Sequence, residues 1–359
     1  ISIIGTVGIP AKYGGFETLT EYLAKGLNKE FEVTVYCSKT PKEKRLKQLY
    51  NSKLLYLPFK ANGWQSMIYD AFSIFHAFFI SDVLVILGFS GVIAFPFKIY
   101  FESKIVFNIG GVEWKKIRGT RVFSKLEIIL KRLFERICIY YSDVIIVDNQ
   151  EILNYVKSTY DIDSTLIEYG GDHAENRHLT TDIISKYPFL TKSYDVSVSR
   201  AQEDMNIHLL LDAYKKYSSR NIVIISNWEI SSYGIQLKET FKNKYKNIYI
   251  LDSIYNLDEL NAIRSNAELY LHTHSLCGTA PSLTEAMSLG LAVFCYDVPT
   301  NRATTEEKSF YFCDSKSLVE LLQNLNSLLT NKLRNDMKEI ADRRYNWKRI
   351  INLYKKSIN

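Results

Sequence analysis

Cysteine is scarce and irregularly spaced in this chain of 359 residues. The five cysteines, Cys37, Cys138, Cys277, Cys295 and Cys313, are odd in number, and no two have the Cys-x-x-Cys spacing. This pattern is typical neither of a disulfide framework nor of a zinc site. It predicts a protein of a reducing compartment whose cysteines are free thiols.

The chain also lacks an uninterrupted apolar run of the roughly 20 residues that a membrane-crossing helix needs. Its most apolar stretch, residues 71–97, is interrupted by Ser81, Asp82 and Gly88, and it follows the pattern helix, strand, helix. We interpret these residues as core elements, with one face available to lipid. No signal peptide opens the sequence, which starts within a predicted strand, so we expect a few residues to precede Ile1.

Charge of one sign is not concentrated anywhere. The formal net charge is +6, and the basic residues are spread along the chain. That distribution excludes a basic arm for nucleic acid, but it is compatible with attraction to an anionic membrane surface. A hydrophobic fraction of 47% and a charged fraction of 23% are those of a globular protein, and the length gives room for two domains.

The opening loop lacks the Gly-x-Gly-x-x-Gly pattern of dinucleotide-binding enzymes. The residues before and after it nevertheless predict a strand over 1–4, a helix over 18–28 and a strand over 33–36. Because no acidic residue clearly ends the second strand, a nucleotide-sugar enzyme is favoured over a nicotinamide dehydrogenase. The pair Gly14-Gly15 gives an adaptable turn that can bind an anion, and Lys12 can supply positive charge.

The chain is organised around residues 274–287, which follow an apolar strand at 269–271 and lead into a helix. A loop of small residues between strand and helix offers backbone N–H groups and the positive end of a helix dipole to an anion. Pro281 and Ser282 suit the helix start, as first-turn residue and cap. Glu285 is then expected in the first turn, where a carboxylate can accept hydrogen bonds from ribose hydroxyls. An ordinary strand-to-helix turn gives the same pattern.

This segment resembles the donor-binding loop of GT-B glycosyltransferases of the retaining family-four group, and more closely that of its bacterial rhamnosyltransferase branch. Family-four enzymes carry two glutamates eight residues apart. Glu285 matches the second, and Cys277 stands where the first would be. The branch has a glycine at the position of Cys277 and an asparagine at that of Ala280. The residues that the resemblance implies in donor binding here are Gly278, Thr279, Pro281, Ser282, Leu283 and Glu285.

Residues 8–17, Gly-Ile-Pro-Ala-Lys-Tyr-Gly-Gly-Phe-Glu, resemble the signature of the N-terminal domain of the same rhamnosyltransferases. In GT-B enzymes this loop lies near the donor phosphates and the acceptor. The residues that the resemblance implies in donor and in acceptor contacts are, respectively, Gly14 and Gly15, and Lys12, Tyr13 and Phe16.

A second acceptor-side segment follows a predicted strand at 104–108. Glu113, Trp114 and Lys115 place an acid, an aromatic ring and a cation at the carboxyl end of that strand, where crevices form. The resembling branch has Asp-Gly-x-Glu-Trp-Lys or -Arg here, with Gly110 at the position of the aspartate. The resemblance implies that Glu113 orients the acceptor hydroxyl or takes its proton. Pairing of Glu113 with the nearby cations, which would only hold the loop, is the alternative.

The donor diphosphate is expected to contact the loop after a predicted strand at 195–198. Family-four enzymes place an arginine and a lysine in this loop. Arg200 matches the arginine, while Asn206 falls at the lysine position, as it does in the resembling branch. Because a leaving diphosphate needs cationic neutralisation, the resemblance gives Arg200 the catalytic role, with Lys12 as a helper.

A metal-dependent alternative rests on Asp161-Ile162-Asp163, which spells the Asp-x-Asp of GT-A transferases. A turn after a helix that ends near Tyr160 explains the same residues. The resemblance to GT-B enzymes implies that no metal or other cofactor is required.

The resemblance covers nearly the whole chain and implies an α/β fold of the GT-B type, with two Rossmann-like doubly wound domains and an interdomain cleft. The first, acceptor-side domain is expected over residues 1–175 and the second, donor-binding domain over 190–344. Polar residues at 173–193 suggest a linker. The C-terminal helix at 345–359 is expected to cross back to the first domain.

The implied enzyme is a retaining hexosyltransferase that moves L-rhamnose from dTDP-L-rhamnose to a lipid-diphosphate-linked saccharide in capsule or O-antigen biosynthesis. It is expected at the inner face of the cytoplasmic membrane, bound peripherally through the aromatic residues 64–79 and a cationic helix over 123–141. Core packing of the aromatic residues and a solvated face of the helix explain the same two segments. Three alternatives remain open: a UDP- or GDP-sugar donor, a nucleotide-sugar epimerase, and a catalytically inactive binding partner, since Cys277 and Ala280 remove polar contacts.

Overall fold

The computed structural model describes residues 1–11, 14–111 and 121–359, except the side chains of 121–124 and 327–328. The chain divides into two compact units. One consists of Ile1–Tyr169 together with Trp347–Asn359, and the other of Gly170–Asn346. Each unit has its own mostly parallel sheet with helices, which confirms two Rossmann-like α/β domains.

The first unit contains an eight-stranded sheet in the described residues, in the order β3-β4-β2-β1-β5-β6-β7-β8. Only the pair β3–β4 is antiparallel. The strands are β1 (Ser2–Ile4), β2 (Thr34–Cys37), β3 (Gln48–Leu49), β4 (Ser52–Tyr56), β5 (Val83–Leu87), β6 (Lys104–Asn108), β7 (Val144–Val147) and β8 (Thr165–Leu166). The helices are α1 (Gly15–Leu27), α2 (Ser66–Phe78), α3 (Arg121–Tyr140) and α4 (Gln150–Tyr160), with 3-10 helices at Lys42–Lys44, Gly63–Gln65 and Val92–Tyr100.

Alternate residues of the central strands pack into two cores, one on each face of the first sheet. Ile3 and Val85 lie in one core, while Ile4 and Ile86 lie in the other. Because successive side chains of a strand point to opposite faces, a strand covered on both sides must be apolar throughout. This explains why β5 is a continuous apolar run and why the interior residues of β6, Ile105 to Phe107, are all apolar.

The second unit contains a six-stranded sheet, wholly parallel, in the order β11-β10-β9-β12-β13-β14. The strands are β9 (Asp195–Val198), β10 (Ile222–Ser226), β11 (Ile248–Asp252), β12 (Leu269–His272), β13 (Ala292–Tyr296) and β14 (Phe310–Phe312). The helices are α5 (Thr181–Lys186), α6 (Ile207–Lys216), α7 (Ser232–Phe241), α8 (Leu257–Ser265), α9 (Pro281–Ser288), α10 (Pro299–Thr304), α11 (Ser315–Asn324) and α12 (Ser327–Arg344), with 3-10 helices at Pro188–Thr191, Glu203–Met205 and Trp228–Ile230.

The last helix, α13 (Trp347–Ile358), belongs to the first unit. Trp347 stacks on Tyr22 with 4.2 Å between ring centroids. Asn108 Nδ2 donates a hydrogen bond of 2.6 Å to the buried Tyr354 hydroxyl. The C-terminal helix therefore crosses back to the first domain, as the sequence predicts.

Two segments differ from their sequence interpretation. The basic, polar sequence of residues 39–53 indicates a solvated loop or helix face, but these residues contain β3 and the start of β4, which pairs with β2. Residues 173–193 were predicted to be a linker, but they carry α5 and a 3-10 helix. Leu190 of that 3-10 helix is buried in the core of the second unit. Both segments are polar because only one side of each is covered.

Candidate functional site

The second sheet reverses its strand order between β9 and β12. The chain runs outward through β10 and β11 and then returns to place β12 on the other side of β9. In open parallel sheets, ligands bind outside the carboxyl ends of the strands at such a switch point. The two loops that leave β9 and β12 are the ones for which the sequence predicts donor contacts.

These two loops are joined by hydrogen bonds. Ser275 donates from its backbone N–H and from its hydroxyl to the carbonyl of Asp204, both at 2.9 Å. The Thr273 hydroxyl donates to the carbonyl of Met205. Asn206 Nδ2 donates to the carbonyl of Thr273 at 3.1 Å. The side-chain amide of Asn206 is thus engaged within the protein, where it bridges the loops.

Asn206 also has a left-handed backbone, with φ of 49°. We expect Asn206→Ala to lower the free energy of unfolding by about 2 kcal/mol, because it loses both a hydrogen bond and the left-handed tolerance of asparagine. Asn206→Gly keeps the backbone conformation and is expected to lose about 1 kcal/mol. Urea unfolding measures both variants. An alanine variant as stable as the wild type would contradict the bridging role.

Helix α9 begins at Pro281, in the first helical turn as predicted. The predicted cap is wrong, because Ala280 occupies the N-cap position and has no side chain that can accept a hydrogen bond. The N–H groups of Leu283 and Thr284 bond to the carbonyl of Ala280, at 3.0 and 3.2 Å. Among the described residues no side chain caps this helix start, and a ligand anion could meet the backbone N–H of Ser282.

Several candidate residues around the start of α9 have buried side chains. Thr279 is buried, and Leu283 lies in the core of the second unit. Neither side chain is thus open to a donor, and the N–H of Leu283 is already bonded to the carbonyl of Ala280. Pro281 and Ser282 are partly exposed.

Glu285 lies in the second turn of α9, so the expectation of a first-turn position is wrong. Its carboxylate accepts hydrogen bonds from the Nη1 of Arg264 and, at 3.0 Å, from the Nε2 of His173. Arg264 is only 1% exposed. Burial opposes ionisation of Glu285, but Arg264 and His173 outweigh it and lower the pKa of Glu285 to about 2. A ribose contact remains a prediction, and it would use the remaining lone pairs of this carboxylate.

His173 reaches Glu285 because the loop before it packs tightly on α9. A Cβ on Gly171 would lie 2.3 Å from the carbonyl oxygen of Thr284, so only glycine fits there. Sequence reasoning missed both His173 and Arg264. A buried arginine opposite a helix glutamate gives no local signal, since the two residues are 21 positions apart.

Arg200 follows β9 directly and is exposed. Its guanidinium has no hydrogen bond or ion pair with any residue that the structure describes. A cation that is not paired with another residue is available to an anionic ligand.

In the first unit, Gly14 is the N-cap of α1, with φ of 107°. The carboxylate of Glu17 lies at this helix start, where its Oε1 accepts the N–H of Val7 at 3.3 Å. Burial raises the pKa of Glu17. Anion binding at Gly14 and Gly15 stays a prediction, and the anion would have to share this helix start with Glu17.

Phe16, predicted on the acceptor side, packs over the ends of β5 and β6. A Cβ on Gly110 would lie 2.4 Å from the ring of Phe16. Gly110 has φ of 67°, which also favours glycine. This packing accounts for glycine at the position where the resembling branch has aspartate. The other acceptor-side candidates, Lys12, Tyr13, Glu113, Trp114 and Lys115, lie outside the described residues.

Asp161 and Asp163 form a turn rather than a crevice. Asp161 caps the C-terminus of α4 in a left-handed conformation. Both carboxylates pair with Lys157 at 3.1 Å, and they are 93% and 96% exposed. The turn interpretation of Asp-x-Asp agrees with this geometry.

Two further features lie in the second unit. A cavity of about 490 Å³ opens beyond β11, and none of the described candidate residues lines it. At the end of β12, His272, His274 and Cys277 converge, with their potential ligand atoms within 4.8 Å of one another. Burial lowers the pKa of His272 to about 3.

Comparisons with known families divide the chain as the two units do. Residues 1–172 match the family described as "Domain of unknown function (DUF1972)". Residues 181–344 match the family described as "Glycosyl transferases group 1". A comparison with the curated proteins found no match.

Solved structures match over nearly the whole chain. Sucrose-phosphate synthase from Thermosynechococcus elongatus has a TM-score of 0.82 at 15% identity, covering 99% of this chain and 98% of its own. HepE from Anabaena in complex with UDP has a TM-score of 0.75 at 13% identity, with coverage of 99% and 98%. A putative UDP-N-acetylglucosamine 2-epimerase from Listeria monocytogenes has a TM-score of 0.65 at 12% identity, with coverage of 100% and 96%.

The chain therefore has the GT-B fold. The family match over 181–344 supports glycosyltransfer as the activity of a chain with this fold. The residues that match glycosyl transferases group 1 lie in the second unit, as do the loops that leave β9 and β12.

Proposed function

We propose that the protein transfers a hexose, with retention of anomeric configuration, from a nucleotide-diphosphate sugar to a lipid-diphosphate-linked saccharide. The expected donor is dTDP-L-rhamnose, and the expected setting is the synthesis of a capsule or O-antigen. One observation carries the proposal: two loops are joined by hydrogen bonds at the switch point. One loop holds Arg200, whose guanidinium has no partner among the described residues, and the other leads to the start of α9, which has no side-chain cap there.

In the proposed reaction, the bond between the anomeric carbon and the diphosphate oxygen breaks, and a bond to the acceptor oxygen forms on the same face. Arg200 and the backbone N–H groups of Gly278 and Ser282 stabilise the charge on the departing diphosphate. The proton of the acceptor hydroxyl passes to Glu113, in the role that the sequence suggests.

A screen of donors tests this proposal against its alternatives. The melting temperature of the protein is measured in the presence of dTDP-, UDP- and GDP-sugars. Each donor that raises it is then incubated with the protein and with membranes that contain lipid-linked saccharides. Release of nucleoside diphosphate with a glycosylated lipid supports transfer. Appearance of an isomeric nucleotide sugar without release would indicate an epimerase. Stabilisation without turnover would indicate a binding partner.

Transfer is expected to survive chelation by EDTA. The Asp161 and Asp163 carboxylates pair with Lys157 on an exposed turn, and the proposed diphosphate contacts need no metal. Turnover by the doubly substituted Asp161→Asn, Asp163→Asn variant should likewise equal that of the wild type. If EDTA abolishes turnover, and Mn²⁺ or Mg²⁺ restores it in the wild type but not in this variant, the two aspartates would be metal ligands.

We further propose that the first unit binds the membrane surface that carries the acceptor. An aromatic face is formed by α2 and its neighbouring segments, with exposed Trp64, Phe72, Phe75, Phe79 and Phe97. The ring of Phe75 lies 5.3 Å from that of Phe79 and 5.5 Å from that of Phe97, measured between centroids. Isolated exposed rings are common, but a contiguous apolar surface indicates an interaction site.

A cationic face on α3 adjoins the aromatic face, because the segment Val92–Tyr100 packs against both α2 and α3. Exposed Leu126, Ile129 and Leu133 alternate there with exposed cations. The cations are Lys125, Arg132 and Arg136. Apolar anchors beside cations suit an anionic headgroup surface. In the described part of the chain, no helix is long and apolar enough to cross a membrane.

Liposome flotation tests the membrane proposal. The protein should float with anionic vesicles at low salt and less with neutral ones, and Arg132→Glu with Arg136→Glu should weaken binding, since each cation contributes about 1 kcal/mol. Phe72→Ser with Phe79→Ser should do the same. Leu257→Ser, an equally exposed apolar position of the second unit, serves as the matched control. Protein that stays in solution with both vesicle types would contradict the proposal.

A further inference from the structure

Three metal-binding side chains converge where β12 passes into the loop that precedes α9. The potential ligand atoms of His272, His274 and Cys277 lie within 4.8 Å of one another. The two imidazole rings are tilted against each other with 4.2 Å between centroids. None of these three residues is among those predicted to contact the donor.

The environment of His272 is independent evidence for a bound ligand. It is 1% exposed, and neither Nδ1 nor Nε2 has a hydrogen-bond partner among the described residues. Buried polar atoms are normally hydrogen-bonded, so an unsatisfied one requires an explanation. A metal bond to one ring nitrogen would satisfy that nitrogen, and the potential ligand atoms of His274 and Cys277 lie within 4.8 Å.

We propose that His272, His274 and Cys277 form a binding site for Zn²⁺. Two imidazoles and one thiolate suit zinc, and three protein ligands leave a fourth, open tetrahedral position. Bonds of about 2.0–2.3 Å hold the ligand atoms of a tetrahedral zinc roughly 3–4 Å apart, so small side-chain rotations close the site. His274 and Cys277 are partly exposed, which gives the ion access.

The backbone around the site is held in place. Asn301 Nδ2 donates to the carbonyl of His274 at 3.0 Å, and the Ser275 N–H donates to the carbonyl of Asp204 at 2.9 Å. A zinc ion would therefore connect the end of β12 to Cys277, directly before Gly278. Cysteine spacing does not reveal this site, because two of its ligands are histidines in the pattern His-x-His-x-x-Cys. The site is independent of the proposed metal-free transfer.

Cobalt titration of the full, reduced and metal-free protein tests the site. Co²⁺ should bind in a 1:1 ratio and give the visible bands of a low-coordinate ion together with a sulfur-to-cobalt charge-transfer band. Zn²⁺ should then displace it and raise the melting temperature. Cys277→Ser should abolish the charge-transfer band, and His274→Ala should weaken Co²⁺ binding at least tenfold.

Cys313→Ser provides the matched control, because Cys313 is an exposed free cysteine of the same unit. It should leave the spectrum and the affinity unchanged. His272→Ala is not used, since it removes a buried side chain. Circular dichroism confirms that the other variants are folded. A charge-transfer band that persists in Cys277→Ser, or no such band in the wild type, would overturn the proposal.

Discussion

Replacing Arg264 by methionine is expected to lower the free energy of unfolding of the second unit by about 3–5 kcal/mol. The substitution leaves the Glu285 carboxylate without the cation that holds its pKa at about 2, well below its ordinary value of 4.5. Arg264 is 1% exposed and also donates to Asn261 Oδ1 at 2.7 Å. Loss of one partner of a buried ion pair costs far more than loss of a surface pair.

The stability that the ionised Glu285 contributes depends on pH. Because the pKa of Glu285 is lowered on folding, its contribution of about 3 kcal/mol is fully present above pH 4.5 and disappears as the pH falls towards 2. The difference between the wild type and Glu285→Gln should therefore be large at pH 7 and should shrink below pH 4.5. Sequence reasoning alone would treat Glu285 purely as a ligand contact and expect no such difference.

Urea unfolding followed by the fluorescence of Trp228 measures this prediction. Trp228 is buried in the second unit, and replacing Trp64, Trp114 and Trp347 by phenylalanine leaves it as the only reporter. Arg343→Ala, which removes an exposed ion pair with Glu306, serves as the control and should cost less than about 1 kcal/mol. Equal losses in Arg264→Met and in the control would contradict the buried pair.

Arg200→Ala is expected to lower turnover by about 10- to 150-fold while leaving stability unchanged. The fold-change corresponds to about 1.5–3 kcal/mol for a charge-assisted hydrogen bond to a phosphate. Stability should not change because the exposed guanidinium has no partner among the described residues. Arg200→Lys keeps the charge but loses the fork geometry, so its turnover should lie in between.

Turnover and urea unfolding are measured on the same preparations, with Arg343→Ala, which removes an exposed arginine paired with Glu306, as the control. Normal turnover by Arg200→Ala would mean that the diphosphate is held elsewhere. A parallel loss of stability would assign Arg200 a structural role.

Much of the fold can be predicted from the sequence because its central strands are short apolar runs. Strands β6 and β9 are predicted at the residues where the structure has them. Strand β4 could not be predicted, because Lys53 and the partly exposed residues near it interrupt the apolar pattern. Strand order, and with it the switch point, depends on pairings that no local pattern contains.

The candidate site is predictable in its loops but not in its side chains. The small-residue loop and Pro281 indicate a helix start, yet the cap is Ala280, and Glu285 consequently falls one turn further along. There it meets Arg264 and His173, and His173 is 112 positions away. Long-range partners of this kind change a predicted ligand contact into a residue that also holds the fold together.

Amide hydrogen exchange, with and without the nucleoside diphosphate that stabilises the protein best, tests the central claim most directly. If the donor binds at the switch point of the second sheet, exchange should slow in residues 199–206 and 277–284. The loop that precedes β10, at 218–221, lies at the opposite, amino end of the strands, serves as the internal reference and should remain unchanged. Protection confined to the cavity beyond β11 or to the first unit, with none in the two donor loops, would contradict the account.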